Sequence, residues 1–173
     1  DDRTALFEEL PEDLLQHMLS LMSKEESATA RSLLAYPENS VGRLMTTDYI
    51  AVKENMTVAQ VLQYIRKYGK DSETLNMIYV IDENGKLIDD IIIRQVLLAK
   101  PRVRIKSLMD YKFISLNAFD DQEAALQIFK KYDHYALPVV DNEGVLLGIV
   151  TIDDVLDVEE EEDSDLWLDE DEF

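Results

Sequence analysis

The sequence contains no cysteine. That excludes a disulfide framework, thiolate metal sites and a cysteine nucleophile. Histidine is scarce as well, with two in 173 residues, so an imidazole-based zinc site is not expected. Uninterrupted apolar runs stop at about eight residues, well short of the roughly 20 that a membrane-crossing helix needs. No leader-like stretch is visible, and the expectation is a soluble, intracellular chain.

Positive charge is missing from one end. All 17 Lys and Arg lie at or before Lys131, accompanied by 21 Asp and Glu, whereas residues 132–173 hold 16 acids and no base. The net charge of −20 therefore divides into −4 and −16. Such an end repels nucleic acid and anionic lipid and attracts cations. For residues 159–173 alone, a solvated and disordered acidic tail accounts equally well for the composition.

With 46% hydrophobic residues, the chain is long enough to bury a core, as one large domain or two small ones. Residues 5–35 read as helical. Leu6, Leu10, Leu14, Met18 and Leu21 recur at helical spacing, and Pro11-Glu12-Asp13 suits a first turn. Ser23 and Glu26 fit the capping box of a second helix carrying Ala28, Ala30, Leu33 and Leu34. Tyr36-Pro37-Glu38-Asn39-Ser40 ends this region.

From Gly42 the chain repeats itself. Leu44-Met45 matches Leu108-Met109, and Ile50 and Val52 match Ile114 and Leu116, at an offset of 64. Val80-Ile81-Asp82 and Gly85 match Val139-Val140-Asp141 and Gly144 at 59, so the first copy carries five extra residues between Tyr68 and Met77. A unit of about 60 residues occurring twice implies a pseudo-symmetric pair. Each unit is expected to run strand (Tyr49–Val52; Phe113–Leu116), helix (Thr57–Tyr68; Asp121–Tyr132), two strands about an Asp/Asn/Gly turn, and a short helix (Ile93–Ala99; Ile152–Val158). The fold class is α/β: two βαββα units behind a short helical segment.

This order, closed in the second copy by Gly148-Ile149-Val150-Thr151-Ile152-Asp153-Asp154, resembles the CBS domain. Leu34 to Thr46 and Asp153-Asp154-Val155-Leu156-Asp157-Val158 further resemble the cytosolic part of the MgtE magnesium transporters. The resemblance implies a CBS pair with two clefts, preceded by a helical N domain and followed by a membrane domain. It divides the chain into residues 1–40, the end of that N domain; 41–101 and 102–158, the two CBS copies; and 159–173, the tail. It implies a regulatory magnesium sensor on the cytoplasmic side of the membrane, a homodimer, and no enzyme activity. The chain is then either an excised fragment or a soluble relative.

Magnesium prefers octahedral oxygen ligands and keeps much of its water, so one or two carboxylates often suffice. Asp154 and Asp157 are three apart on one helix face, Asp121 and Glu123 start the preceding long helix, and Asp133 ends it. By resemblance, Asp121, Glu123, Asp133, Asp154 and Asp157 match positions that bind magnesium in the family. Local structure offers another account: Asp120 or Asp121 as an N-cap, Glu123 in a capping box, and Asp153 and Asp154 in a first helical turn. Asp133 lacks such an account, because an acid at a helix C-terminus faces the negative end of the dipole.

The resemblance also raises ATP or AMP as the ligand. Its signature, Gly-x-x-Thr/Ser-x-x-Asp, is intact as Gly148, Thr151 and Asp154, with Thr151 expected on phosphate and Asp154 on ribose. The first copy has Asp89-Asp90-Ile91-Ile92-Ile93-Arg94-Gln95 there and lacks all three signature residues. Lys100, Arg102, Arg104 and Lys106 make the linker between copies basic. No local motif sets a nucleophile beside a base.

Overall fold

The computed structural model describes residues 2–157, with side chains from Arg3 onward. Expectations that fall on residues 158–173 lie outside the described residues. Three helices open the chain: α1 (Asp2–Glu8), α2 (Glu12–Leu21) and α3 (Lys24–Leu34). The leucine spacing runs on from Leu6, but α1 ends before Pro11 and α2 begins just after it, where Pro11-Glu12-Asp13 was expected to open a helix. Phe7, Leu19 and Ala30 form the small buried cluster, and Leu6, Leu14 and Leu21 stay exposed. The Ser23–Glu26 capping box is present, and the Ser23 hydroxyl and N–H hold the Glu26 carboxyl below its usual range.

A short helix, α4 (Val41–Leu44), leads into the first unit: β1 (Ala51–Val52), α5 (Val58–Tyr68), β2 (Met77–Ile81), β3 (Leu87–Ile92) and α6 (Ile93–Leu98). The second unit is β4 (Leu116–Asn117), α7 (Gln122–Tyr132), β5 (Ala136–Val140), β6 (Leu146–Thr151) and a final helix, α8, described over residues 152–157. The five extra residues of the first copy coincide with a 3-10 turn at Gly69–Asp71 and the loop that follows it. Each unit has a three-stranded sheet, with a parallel pair (β1 with β2, β4 with β5) and an antiparallel hairpin (β2 with β3, β5 with β6).

Both first strands are shorter than their apolar pattern suggests. In the first unit the Tyr79 N–H donates to Ile50 O at 3.0 Å. The equivalent residue in β5 is Pro138, which has no N–H to give Ile114. Pairing accordingly starts only at Leu116, opposite Val139, and Phe113 is left exposed.

The two hairpin turns are built alike. Asp82 Oδ1 accepts from the N–H groups of Asn84 and Lys86 at 2.8 and 2.9 Å, and Asp141 Oδ1 accepts from Glu143 and Val145 at 2.8 and 3.0 Å. Gly85 (φ 80°) and Gly144 (φ 84°) adopt the left-handed conformation that closes each turn. The turns also meet each other. Leu87 N–H donates to Gly144 O and Leu146 N–H to Gly85 O, both at 3.0 Å, tying the units about a pseudo-twofold axis.

The units are not closed separately. Leu33, Val41 and Met45, which precede the first unit, complete the core of the second with Phe129, Leu137 and Val150. In return Val103, Ile105 and Leu108, which precede the second, complete the core of the first with Ile50, Val61 and Ile78. A third cluster, Tyr79, Leu87, Leu146 and Ile149, joins the faces that the two sheets turn towards each other.

Candidate functional site

The exchange of lead-in segments decides what each cleft contains. The stretch before β1 lies against β6: Thr46 N–H donates to Ile149 O at 2.8 Å, and Ile149 N–H to Thr46 O at 2.9 Å. Gly148 makes this approach possible. A Cβ there would lie 2.6 Å from the Thr46 carbonyl oxygen and 3.0 Å from Met45 Sδ. The intact Gly-x-x-Thr-x-x-Asp of the second copy is thus bridged to Thr46, which belongs to the first.

Thr151 and Asp154 meet directly. The Thr151 hydroxyl donates to Asp154 Oδ2 at 2.9 Å, and the Thr151 N–H points at the same oxygen at 3.4 Å. This is the acidic half of a capping box at the start of α8, so Asp154 has a structural task whether or not it binds a ligand. Asp154 is half-buried, and Asp157, one turn further, is exposed.

Asp121 is the N-cap of α7, accepting from the Glu123 N–H at 2.9 Å. Glu123 is therefore the second residue of the helix and is displaced by one from the third-residue position that the expected capping box requires. Asp121 also forms an isolated bridge with Ser40 and lines an open recess with Glu38, Asn39, Phe119 and Asp120. Asp133 is the C-cap of α7, left-handed at φ 52° and ψ 43°, with its N–H on Phe129 O at 3.1 Å. It is exposed, strained for a residue other than glycine, and at the unfavourable end of the dipole.

Among the described residues, no three Asp, Glu or His side chains converge as a metal site. The five candidate acids are spread over the start of α7, its end and α8. Carboxylates so placed suit a hydrated divalent cation, which needs only one or two of them, better than a closed cage.

The first copy contains a residue whose part the sequence reading did not foresee. Asp89 occupies the position of Gly148 and is fully buried. Its Oδ1 accepts from the Asp90 N–H at 2.9 Å, and its Oδ2 from the N–H groups of Asp110 and Tyr111 at 2.9 and 3.0 Å. A side chain here does what the Thr46–Ile149 backbone bridge does in the other cleft. Tyr111, at φ 60°, turns its N–H inward to meet the carboxylate. The available signal was the unbroken pair Asp89-Asp90 inside an otherwise apolar strand.

Comparison with known proteins agrees with this architecture. Residues 41–100 and 105–161 match the CBS domain family. The chain belongs to that family. Residues 1–39 match the MgtE intracellular N domain, so the arrangement is that of the cytosolic CBS-pair part of MgtE. The magnesium transporter MgtE of Thermus thermophilus is 42% identical over 147 residues, 85% of this chain and 33% of that protein. This CBS pair thus spans about a third of its curated relative. Among solved structures, the soluble part of a magnesium transporter is 32% identical with a TM-score of 0.89, over 92% of this chain and 62% of that one. The cytosolic domain of the Mg2+ channel MgtE in complex with ATP is 41% identical with a TM-score of 0.84, over 89% and 62%. Among the described residues, no helix of this CBS pair is long and apolar enough to cross a membrane.

Proposed function

We propose that this chain is the cytosolic regulatory part of a magnesium transporter, and that magnesium bound by Asp121, Glu123, Asp133, Asp154 and Asp157 gates transport. The observation that carries the reading is the combination of N-domain helices and CBS pair, matched in order to MgtE along most of the chain. Four of the five acids are exposed and Asp154 is half-buried, so each is open to a hydrated ion. Since no three of the acidic side chains converge among the described residues, each ion would bridge this surface to another one, in the same protein or a second copy. Without metal the facing carboxylates repel. With it, repulsion becomes attraction and a compact state is favoured. Several weak ions acting together supply the few kcal/mol that a decisive population shift requires.

A homodimer is part of this reading. Ile92, Leu97 and Leu98 on and beside α6, and Leu156 on α8, are exposed apolar side chains on the two short helices. Pairing through them would double the number of sites coupled to one transition.

The test is calorimetry with magnesium on the wild type and on a variant carrying Asp133→Asn and Asp157→Asn. The expected outcome is weaker or fewer binding events in the variant; unchanged binding removes these residues from the site. Nucleotide binding is a second reading, favoured by the intact Gly148, Thr151 and Asp154 and by the ATP complex of the 41% identical relative. ATP titrated without magnesium separates the two. Heat from ATP that Thr151→Ala abolishes supports the nucleotide reading, and compaction by magnesium alone supports the first.

A further inference from the structure

Tyr79 lies in the centre of the face where the two sheets meet, 1% exposed. Its hydroxyl is the one buried side-chain polar atom among the described residues without a hydrogen-bond partner. Leaving such a group unpaired destabilises a fold by about 1–3 kcal/mol, so an orphan hydroxyl at an interface calls for a physical account. Directly across the hairpin, in register, is Asp90. Antiparallel partners share a sheet face, so the carboxyl and the phenol lie on the same side.

The surroundings of Asp90 disfavour its charge. Asp89 is beside it on β3, and Asp110 reaches it from the segment leading into the second unit. Tyr79 faces it from β2, and Tyr49, packed edge-on against Tyr79 with centroids 6.3 Å apart, lies behind. Lys112 is exposed two residues beyond Asp110, and its N–H is engaged by the Asp110 carboxylate at 2.9 Å. Burial first, then Asp89 and Asp110, raise the Asp90 carboxyl to about 6. Burial and the Asp90 charge raise the Tyr79 phenol. In the second copy the corresponding pair is Ile149 and Pro138, which carries no side-chain polar atom.

We propose that Asp90 and Tyr79 form a proton-responsive contact within the first copy, on the face it turns to the second, in which proton uptake at Asp90 gives the Tyr79 hydroxyl its missing partner and tightens the inter-sheet face. An ionised Asp90 is drawn to water and away from Asp89 and Asp110, leaving Tyr79 Oη bare. The neutral carboxyl has no such demand and both donates and accepts, so it folds onto the phenol. No bond is made or broken beyond the proton exchanged with solvent. The contact senses protons independently of magnesium, and it acts where the copies touch.

The sign follows from linkage. A carboxyl that holds its proton more tightly when folded makes the native state take up protons, so stability falls as pH rises from about 4 to about 6 and is level above. The experiment follows the Asp90 carboxyl carbon by NMR in the full chain from pH 4 to 8, in the wild type, Tyr79→Phe and Asp90→Asn. Asp90 is expected to titrate near 6, and Tyr79→Phe to lower that midpoint by roughly half a pH unit, a threefold loss of proton affinity. In urea unfolding, Asp90→Asn is expected to abolish the fall in stability between pH 4 and 6; this readout stands if Tyr79→Phe does not fold. Titration of Asp90 near 4, a midpoint unmoved by Tyr79→Phe, or an unchanged profile in Asp90→Asn overturns the proposal.

Discussion

Replacing Asp89 by alanine removes one carboxylate and three hydrogen bonds, at 2.9, 2.9 and 3.0 Å. Each bond to a charged acceptor is worth about 1.5–3 kcal/mol in deletion experiments, which puts the gross loss at roughly 5–9 kcal/mol. Two effects reduce it. Asp110 and Tyr111 are exposed, so their N–H groups turn to water once the carboxylate is gone. The unfolded chain also no longer has to surrender the hydration of an ionised group that folding would bury. A net destabilisation of about 2–4 kcal/mol is expected, large against a typical domain stability of about 5–15 kcal/mol. Urea unfolding at pH 7.5 reads this as a lower midpoint with an unchanged slope.

Amide hydrogen exchange locates the effect. The N–H groups of Asp110 and Tyr111 should exchange much faster in Asp89→Ala, while the Thr46 and Ile149 amides on the other cleft keep their protection. A loss below about 1 kcal/mol, or unaltered exchange at both 110 and 111, refutes the assignment of Asp89 as the residue that fastens the linker.

Gly148→Ala tests the opposite cleft: a Cβ 2.6 Å from a backbone oxygen breaks the paired Thr46–Ile149 bonds, and a loss of about 2–3 kcal/mol in thermal or urea unfolding is expected. Asp133→Gly should stabilise the protein by about 0.5–1 kcal/mol, because glycine tolerates the left-handed conformation and the acid leaves the negative end of α7. If Asp133 also binds magnesium, the same variant should lose part of the stabilisation that magnesium gives, measured as the shift of the unfolding midpoint with and without the ion.

The fold was readable because its signals are local and repeated. Asp-Asn-Gly turns, the capping box at Ser23, and the alternation of strand and helix each dictate structure within a few residues. Less legible were effects carried by one residue on a distant partner. Pro138 withholds an N–H from a strand that precedes it by more than 20 residues, and the leucine spacing runs on through Pro11 although its members divide between two helices. At the candidate site, the sequence pointed to Thr151 and Asp154 but could not tell that they bond to each other. Asp89 looked like a mere loss of the motif. Only in three dimensions does its carboxylate stand where the other copy has a backbone bridge.

The exchanged lead-ins bear directly on how a charge change would travel. Asp121 and Glu123 sit at the start of α7, where the segment before the first unit is fastened: Val41 N–H to Asp120 O at 2.8 Å, Gly42 N–H to Ala118 O at 2.8 Å, and Gln122 N–H to Asn39 O at 2.9 Å. The Gln122 side chain adds a bond to Ser40 O at 3.0 Å. From there Arg43 reaches back, donating to Tyr36 O and Leu34 O and pairing with Glu8 of α1. The Tyr36 ring fills the space over Gly42 that a Cβ would occupy, and it meets Phe119 edge-on. An ion drawn to the start of α7 therefore acts on a segment that is bonded on one side to the second CBS copy and on the other to the N-terminal helices. In the proposed reading, magnesium need not touch those helices to reorient them; it needs only to shift the segment 39–42 that both sides hold.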